Sequence, residues 1–122
     1  MKTLKIFLII VLAISSSVAL ARDEASINLH FPGHNHYNMP IPADMPDVYY
    51  NNVSQTIIID GTGEVDYYDV EIFSVTSSTT VISTQVNGYY DTIDISSLPD
   101  GEYGIIIYSP TGNIFDGFFE IY

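Results

Sequence analysis

Apolar and polar residues alternate along most of the chain beyond residue 25, in short runs rich in isoleucine, valine, tyrosine, phenylalanine and threonine. Glycine, proline, asparagine and aspartate separate these runs, and no segment carries apolar residues at the three- and four-residue spacing of a helix. The pattern predicts seven short strands, which cover residues 26–31, 54–59, 67–75, 80–86, 91–96, 103–109 and 114–122. Seven antiparallel strands in about 100 residues favour an all-β sandwich of immunoglobulin type, with a small barrel as the alternative.

Two short segments refine this prediction. Ile57, Ile58 and Ile59 are consecutive apolar residues, which indicates a strand that is buried on both faces. Asn87 and Gly88 both tolerate positive φ, so they predict a hairpin turn between the fourth and fifth strands.

The segment Leu98–Tyr103 reads Leu-Pro-Asp-Gly-Glu-Tyr and brings a tyrosine to the start of the sixth strand. It resembles the tyrosine corner of Greek-key sandwiches, in which the tyrosine hydroxyl bonds back to nearby backbone. The alternative is an ordinary turn followed by a tyrosine that packs in the core.

Residues 32–48 contain four of the chain's six prolines, which exclude a helix or a central strand there. We expect this segment to be extended chain that crosses the sandwich. Connections of this length are often functional or mobile.

Met1–Ala21 has the three parts of a secretory signal. Lys2 and Lys5 supply the positive start, an apolar run covers residues 6–14, and the segment ends in Ala-Leu-Ala. A run of nine apolar residues is too short for a membrane-spanning helix, which takes roughly 20. We therefore predict cleavage after Ala21, export to the periplasm or the medium, and one domain over residues 22–122.

Charge narrows the choice of partners. The chain from residue 22 onward carries fifteen carboxylates against one cation, Arg22, which gives a formal charge of −14. A polyanion of this kind repels nucleic acid and anionic lipid, so we expect no nucleic-acid partner and no membrane insertion after cleavage. Basic protein surfaces and divalent cations are the partners that electrostatics favours.

The residue inventory argues against an enzyme. The chain contains no cysteine, and its only lysines belong to the signal segment, so a thiol nucleophile and a Schiff base are excluded. No nucleophile elbow is present, and the three histidines share one proline-rich stretch. We therefore assign no catalytic residue and no cofactor.

The histidines are nevertheless close together in sequence. His30, His34 and His36 lie within seven residues, and the last two could share a Zn²⁺ ion, with Asp44 or Asp47 as a further ligand. The alternative is three solvent-exposed histidines in a loop. Because no second spaced pair of ligands exists, we assign no metal site.

A second acidic segment invites the same question. Asp60, Glu64 and Asp66 surround a glycine-rich turn whose oxygens could serve Ca²⁺. The turn lacks the alternating-acid spacing of an EF-hand loop. The preferred interpretation is therefore a hairpin turn that carries several carboxylates and binds no ion.

Tyrosine is abundant, with ten residues, six of them in the pairs 49–50, 67–68 and 89–90. In a regular strand adjacent side chains face opposite ways, so one tyrosine of each pair can pack while the other faces water. Exposed aromatic rings beside carboxylates suit a protein interface or carbohydrate stacking. The preferred interpretation of most of them is nevertheless amphipathic tyrosines at strand ends.

Residues 26–122 resemble a family of small secreted immunoglobulin-like proteins of unknown function from Gram-negative gut anaerobes. The resemblance implies an immunoglobulin-like sandwich and no catalytic residues, and the histidine cluster is not part of the family pattern. The segments that carry it are Pro40–Pro42, Thr56–Ile59, Val70–Ile72, Leu98–Ile107 and Gly112–Ile121.

The sequence thus predicts an exported, non-enzymatic interaction module that binds a protein or a glycan. The alternative is a small exported metal-binding protein that uses His30, His34 and His36. Phe118 and Tyr122, which we expect to be exposed on the last strand, point to a sheet edge that can pair.

Overall fold

The computed structural model describes residues 24–31 and 40–122, and every regular element within them is a β-strand. Two antiparallel sheets form, with strand order β1-β2-β3-β6 in sheet 1 and β5-β4-β7-β8 in sheet 2. The all-β sandwich is confirmed. The strands are β1 Glu24–Ile27, β2 Asp47–Asn51, β3 Thr56–Asp60, β4 Tyr67–Ser74, β5 Thr79–Asn87, β6 Tyr90–Asp94, β7 Gly101–Tyr108 and β8 Ile114–Ile121.

The strand that the sequence pattern missed is β2. The prolines end at Pro46, and Val48 and Tyr50 then alternate into the core, while the backbone pairs with β1 on one side and β3 on the other. Strand pairing therefore begins at Asp47, inside the predicted crossing segment 32–48, and the described part of that segment includes a turn in which the Met45 amide donates to the Pro42 carbonyl at 3.1 Å. Residues 1–23, which include the predicted signal segment, and residues 32–39 lie outside the described residues.

The core is a single apolar cluster between the two sheets. Each fully buried aliphatic or aromatic side chain contributes about 1.5–3 kcal/mol relative to an exposed one, and no disulfide assists them. Ile58 is buried on the opposite face of β3 from Ile57 and Ile59, which confirms a strand covered on both sides. The most deeply buried side chains are Tyr68, Phe115, Ile57, Ile59, Ile72, Ile95, Ile105, Ile107, Val48 and Val70.

Asn87 and Gly88 do not form the predicted hairpin. They connect β5 of sheet 2 to β6 of sheet 1, so the turn is a crossing between the layers. A Cβ on Gly88 would lie 1.7 Å from the Val65 carbonyl oxygen, which shows that the glycine serves close backbone approach rather than positive φ. The Asn87 side chain accepts the amides of Tyr89 and Tyr90 at 2.9 and 2.8 Å.

The acidic turn after β3 is also a crossing, because β3 and β4 belong to different sheets. Gly63 donates its amide to the carbonyl of Gly88 at 3.0 Å, and Gly61 donates to Tyr89 at 2.7 Å. The two crossings therefore pack against each other. The prediction of a hairpin turn at this acidic segment is wrong, because the segment joins strands of different sheets.

The N-terminal segment passes from one sheet to the other. Strand β1 ends at Ile27, earlier than predicted, and His30 then exchanges two backbone hydrogen bonds with Asp116 of β8. Ile27, Leu29 and Phe31 still point toward the core as the alternation predicted. No helix in the two described ranges is long and apolar enough to cross a membrane.

The tyrosine corner is present. The Tyr103 hydroxyl donates to the backbone carbonyl of Pro99, four residues earlier, at 2.5 Å, and its ring stacks on Phe119 with centroids 5.7 Å apart. This contact fixes the connection that enters β7 and confirms the prediction from the Leu98–Tyr103 segment.

Candidate functional site

The outer face of sheet 2 carries an exposed aromatic row. In the register of β4, β7 and β8, Phe73 lies opposite Gly104, and Gly104 lies opposite Phe118. The two rings meet edge to face with centroids 6.3 Å apart and an interplanar angle of 83°. Among the large apolar side chains of the described strands, Phe118 is the most exposed, at 68%. We call Phe73, Gly104 and Phe118 the aromatic strip.

Gly104 makes this strip possible. A Cβ at this position would lie 2.0 Å from the tip of the Phe73 ring, so the missing side chain lets Phe73 lie across β7 toward Phe118. An isolated glycine inside a strand often marks such a close approach. Gly104, together with the predicted exposure of Phe118, was the sequence signal that could have pointed to the strip.

Carboxylates border the aromatic strip on both sides. The row above it contains Glu102 opposite Glu120, and the row below contains Asp116, with Ile106 between Asp116 and Glu71. Like charges directly opposite each other on a sheet are destabilising, and the described residues contain no lysine or arginine to neutralise them. We call Glu71, Glu102, Asp116 and Glu120 the carboxylate frame.

Two surface depressions meet at the aromatic strip. The larger has a volume of about 470 Å³ and the smaller about 320 Å³, and both are lined by Val75 and Phe118. The frame residues Glu71 in the larger, and Glu102 and Glu120 in the smaller, form part of their walls. The surface is therefore an apolar groove with acidic walls.

Two members of the frame have polar neighbours. Asp116 Oδ1 lies 3.4 Å from His30 Nδ1, and Glu71 Oε2 accepts a hydrogen bond from the Tyr108 hydroxyl at 3.3 Å. Burial, with the negative charge of Glu71 second, raises the pKa of Tyr108, so the phenol stays neutral. Glu102 and Glu120 keep their carboxylates exposed at the surface.

A second polar cluster is buried rather than exposed. The carboxylate of Asp44 is 5% exposed and accepts hydrogen bonds from Ser109 Oγ at 2.5 Å, Thr111 Oγ1 at 2.6 Å and Asn113 Nδ2 at 3.0 Å. Its backbone carbonyl accepts the Tyr68 hydroxyl at 2.7 Å. We call this cluster the Asp44 pin, because it fastens the segment before β2 to the turn between β7 and β8.

The protonation of Asp44 follows from these contacts. Burial acts to raise the pKa of the carboxyl, but the hydrogen bonds from Ser109, Thr111 and Asn113 outweigh it, and the pKa lies below its ordinary value of 3.8. A carboxylate that is ionised and saturated with donors is a poor general base, and it is not available as a metal ligand. The pin is therefore structural.

Of the candidate metal ligands, those that the structure describes are not brought together. Asp44 is fully engaged by its three donors, and Asp47 lies at the start of β2 opposite Asp60. Within residues 24–31 and 40–122, no group of three or more histidine, aspartate or glutamate side chains is arranged to hold an ion. His34 and His36 lie outside the described residues, and His30 contacts Asp116.

The tyrosine pairs follow the predicted alternation in two of three cases. Tyr50 and Tyr68 are buried while their neighbours Tyr49 and Tyr67 are partly or largely exposed. Tyr89 and Tyr90 are both exposed: Tyr89 lies in the crossing between the sheets, and Tyr90 is the first residue of β6. The aromatic pair on the outer face of sheet 2 is made of phenylalanine, and it includes Phe118, which was expected from the sequence to be exposed.

Comparison with known proteins adds a fold relationship. The sequence matches no protein-family model and no curated protein. A crystal structure of a DUF3244 family protein with an immunoglobulin-like β-sandwich fold, from Bacteroides vulgatus, is similar with a TM-score of 0.63 and 17% sequence identity. The match covers 81% of this chain and 99% of that chain. The chain thus shares the immunoglobulin-like sandwich fold of a small family of unknown function, as its motifs predicted.

Proposed function

We propose that the chain is an exported, non-enzymatic interaction module that binds a basic protein surface through the aromatic strip and the carboxylate frame. The observation that carries the proposal is the placement of exposed Phe118 and half-buried Phe73 between four carboxylates, on a face whose described residues include no lysine or arginine. Export rests on the pattern of Met1–Ala21, and N-terminal sequencing of the secreted product should begin at Arg22.

The energetic case starts with the rings. Burying exposed apolar surface contributes about 25 cal/mol per Å², and aromatic anchors supply much of the binding energy in protein interfaces. Phe118 and Phe73 together offer such an anchor site at the bottom of the groove. The carboxylates of the groove walls then favour a positively charged ligand over a neutral or negative one.

The electrostatic case concerns the frame. Glu102 and Glu120 repel each other across the strand pair, and an incoming arginine or lysine would relieve this repulsion. A guanidinium over the face of Phe118 would add a cation–π contact worth about 0.5–1 kcal/mol at an exposed site. The remaining negative charge of the domain speeds the encounter with a cationic partner.

Two features favour a protein over a glycan. The rings are nearly perpendicular, so they do not form the flat platform on which a sugar ring stacks. The frame consists of carboxylates, which accept hydrogen bonds and carry charge, and this suits cationic donors better than neutral hydroxyl groups. Binding of a neutral oligosaccharide at the strip would therefore count against the proposal.

The non-enzymatic part rests on the side chains available. The most buried carboxylate, Asp44, is saturated with donors, and the frame carboxylates stand on an open sheet face rather than in a cleft. The described residues contain no cysteine, lysine or arginine. This inventory supports binding rather than covalent or acid–base chemistry.

The test uses a defined probe. A synthetic peptide of alternating arginine and leucine is titrated into the isotopically labelled chain, and its citrulline analogue serves as the neutral control. We expect amide shifts centred on Phe73, Gly104 and Phe118 with the arginine peptide alone. Phe118→Ala should weaken binding about tenfold, while Tyr90→Ala, which removes an exposed aromatic ring from sheet 1, should leave it unchanged.

Two outcomes would contradict the proposal. Equal binding of the citrulline peptide would show that the frame does not select charge. Shifts that spread evenly over both sheets, or an unchanged dissociation constant in Phe118→Ala, would show that the strip is not the binding surface.

A further inference from the structure

Strand β5 is an open edge of sheet 2. It covers Thr79–Asn87, pairs with β4 on one side, and lies at the end of the strand order. Seven of its nine residues are exposed, Ile82 is partly buried and Val86 is buried. Among the strands described it is the longest, so it offers the longest row of backbone groups at either edge of this sheet.

The hydrogen-bond pattern shows which residues face outward. The Val75 amide donates to the Glu102 carbonyl of β7. In an antiparallel sheet, successive residues of a strand form backbone hydrogen bonds to opposite neighbours, so Phe73 also bonds to β7, whereas Ile72 bonds to β5. Ile82 therefore turns its backbone toward β4, as does Thr84. Ser83 and Gln85 present their N–H and C=O groups to the open side.

This edge lacks two common protections against pairing. Natural edge strands are often shielded by charged side chains or proline, and residues 72–90 contain neither. A bulge is present, since Val81 is the extra residue between the pairs Ile72–Ile82 and Phe73–Thr80. The bulge at one end, and the Asp91 carboxylate that accepts the Asn87 amide at the other, confine regular pairing to Ile82–Val86, which still provides five residues.

Charge spacing decides what can pair there. If a second copy added its own β5, the carboxylates of Asp69 and Glu71 on one β4 would lie three strand spacings, or about 14 Å, from those on the other β4. This exceeds the Debye length of about 8 Å at physiological salt, so their repulsion is largely screened. On the opposite edge, pairing two β8 strands would bring Glu120 and Asp116 within about 5 Å of another copy's edge strand.

We propose that two copies of this chain associate by antiparallel pairing of β5 with β5, which joins the two sheets 2 into one continuous eight-stranded sheet. Threonine, serine, glutamine and valine fit a pleated edge and form cross-strand pairs. Each copy uses the same strand, so the interface closes at a dimer. The two-fold axis stands perpendicular to the sheet, so both aromatic strips face the same side.

Sedimentation equilibrium of the purified chain, from micromolar to millimolar protein at physiological salt, tests this association. We expect the mass to rise from one copy toward two and to stop there. Ser83→Asp places a carboxylate on the pairing edge and should weaken association about tenfold, whereas the neutral variant Ser83→Asn should not. High salt should restore association of Ser83→Asp.

A second variant addresses the backbone directly. Ser83→Pro removes an outward N–H and should abolish dimerisation, while Glu120→Pro, at an outward position of β8, should leave it intact. Thermal melting confirms that each variant is folded. A monomer at all concentrations, a mass beyond two copies, or a dimer that survives both Ser83→Asp and Ser83→Pro would overturn the proposal.

Discussion

The two edges of sheet 2 differ in charge and in covering. Strand β8 carries Asp116 and Glu120 on its outer face, and the His30 segment covers its middle. Strand β5 carries no charged residue, and no described strand pairs with its open side, where the Asp91 carboxylate contacts Asn87 at the end of the strand. The same sheet therefore presents an acidic edge suited to a basic partner and a neutral edge suited to a copy of itself.

The proposed dimer depends on this difference, because it joins two anionic domains along a strand that carries no charged residue. Fourteen excess negative charges keep copies apart, since the single cation of residues 22–122 is Arg22. A stretch without charge is then the place where two copies can approach. In these proposals, the position of charges along the sheet, rather than the net charge, decides where a basic partner binds and where a second copy pairs.

The largest expected effect concerns the Asp44 pin, which anchors the β8 half and has no counterpart at β5. Asp44→Ala leaves the Ser109 hydroxyl buried without its acceptor and should lower the free energy of unfolding by about 3 kcal/mol. Urea denaturation measures the change. Asp47→Asn, an exposed carboxylate at the start of β2, should cost less than about 0.5 kcal/mol.

Hydrogen exchange locates the effect of Asp44→Ala. Amides near the turn between β7 and β8 should exchange faster, while those of β5 should change less. Equal acceleration at both edges would show that the pin stabilises the whole sandwich evenly and does not distinguish the edges.

Acid should remove the same contribution from the unsubstituted chain. The pKa of Asp44 is lowered in the folded state, so its stabilisation is present above the ordinary value of 3.8 and is lost as pH falls through the folded pKa. The stability difference between the unsubstituted chain and Asp44→Ala should therefore shrink below pH 3.8. A difference that stays constant down to pH 2 would contradict the assigned pKa direction.

Salt should act on the two edges in opposite directions. Raising ionic strength about tenfold shortens the Debye length threefold, which should weaken the arginine peptide's binding by about tenfold. The same change should strengthen the β5 dimer, because repulsion between two anionic copies is screened. If salt changed the peptide affinity measured by calorimetry and the dimer affinity measured by sedimentation in the same direction, the two edges would not differ as proposed.

A smaller effect distinguishes residues that affect peptide binding from residues that affect stability. Gly104→Ala should displace the mobile tip of the Phe73 ring and weaken the peptide about fivefold, with less than about 1 kcal/mol change in stability. Gly112 has φ +97 and open space around its Cβ position. Gly112→Ala should therefore cost about 1 kcal/mol of stability through backbone strain and leave peptide binding unchanged.

The smallest expected effect is the repulsion inside the carboxylate frame. Glu120→Gln removes one of two facing charges and should stabilise the domain by about 0.5 kcal/mol while weakening the arginine peptide. Glu64→Gln, in the crossing after β3, serves as the matched control and should change neither. A loss of stability in Glu120→Gln would indicate that Glu120 makes a favourable contact.

Several elements were predictable because they depend on local alternation. The faces of Ile57–Ile59, the tyrosine corner at Tyr103 and the inward positions of Leu29 and Phe31 follow from period-two patterning and turn residues. Asn87 and Gly88 misled the prediction, because a turn that suits a hairpin equally suits a crossing where backbones must approach. Strand β2 was missed because neighbouring prolines masked two alternating core residues.

The sequence by itself determined the fold class, the excess of carboxylates and the absence of charge along residues 72–90, since these are properties of the order of residues. Only the tertiary structure decided which strands became edges and which residues became neighbours. Phe73, Gly104 and Phe118 are far apart along the chain, and β-sheet register alone brings them into one row. Long-range pairing is set by the packing of the whole core, which local patterning does not encode.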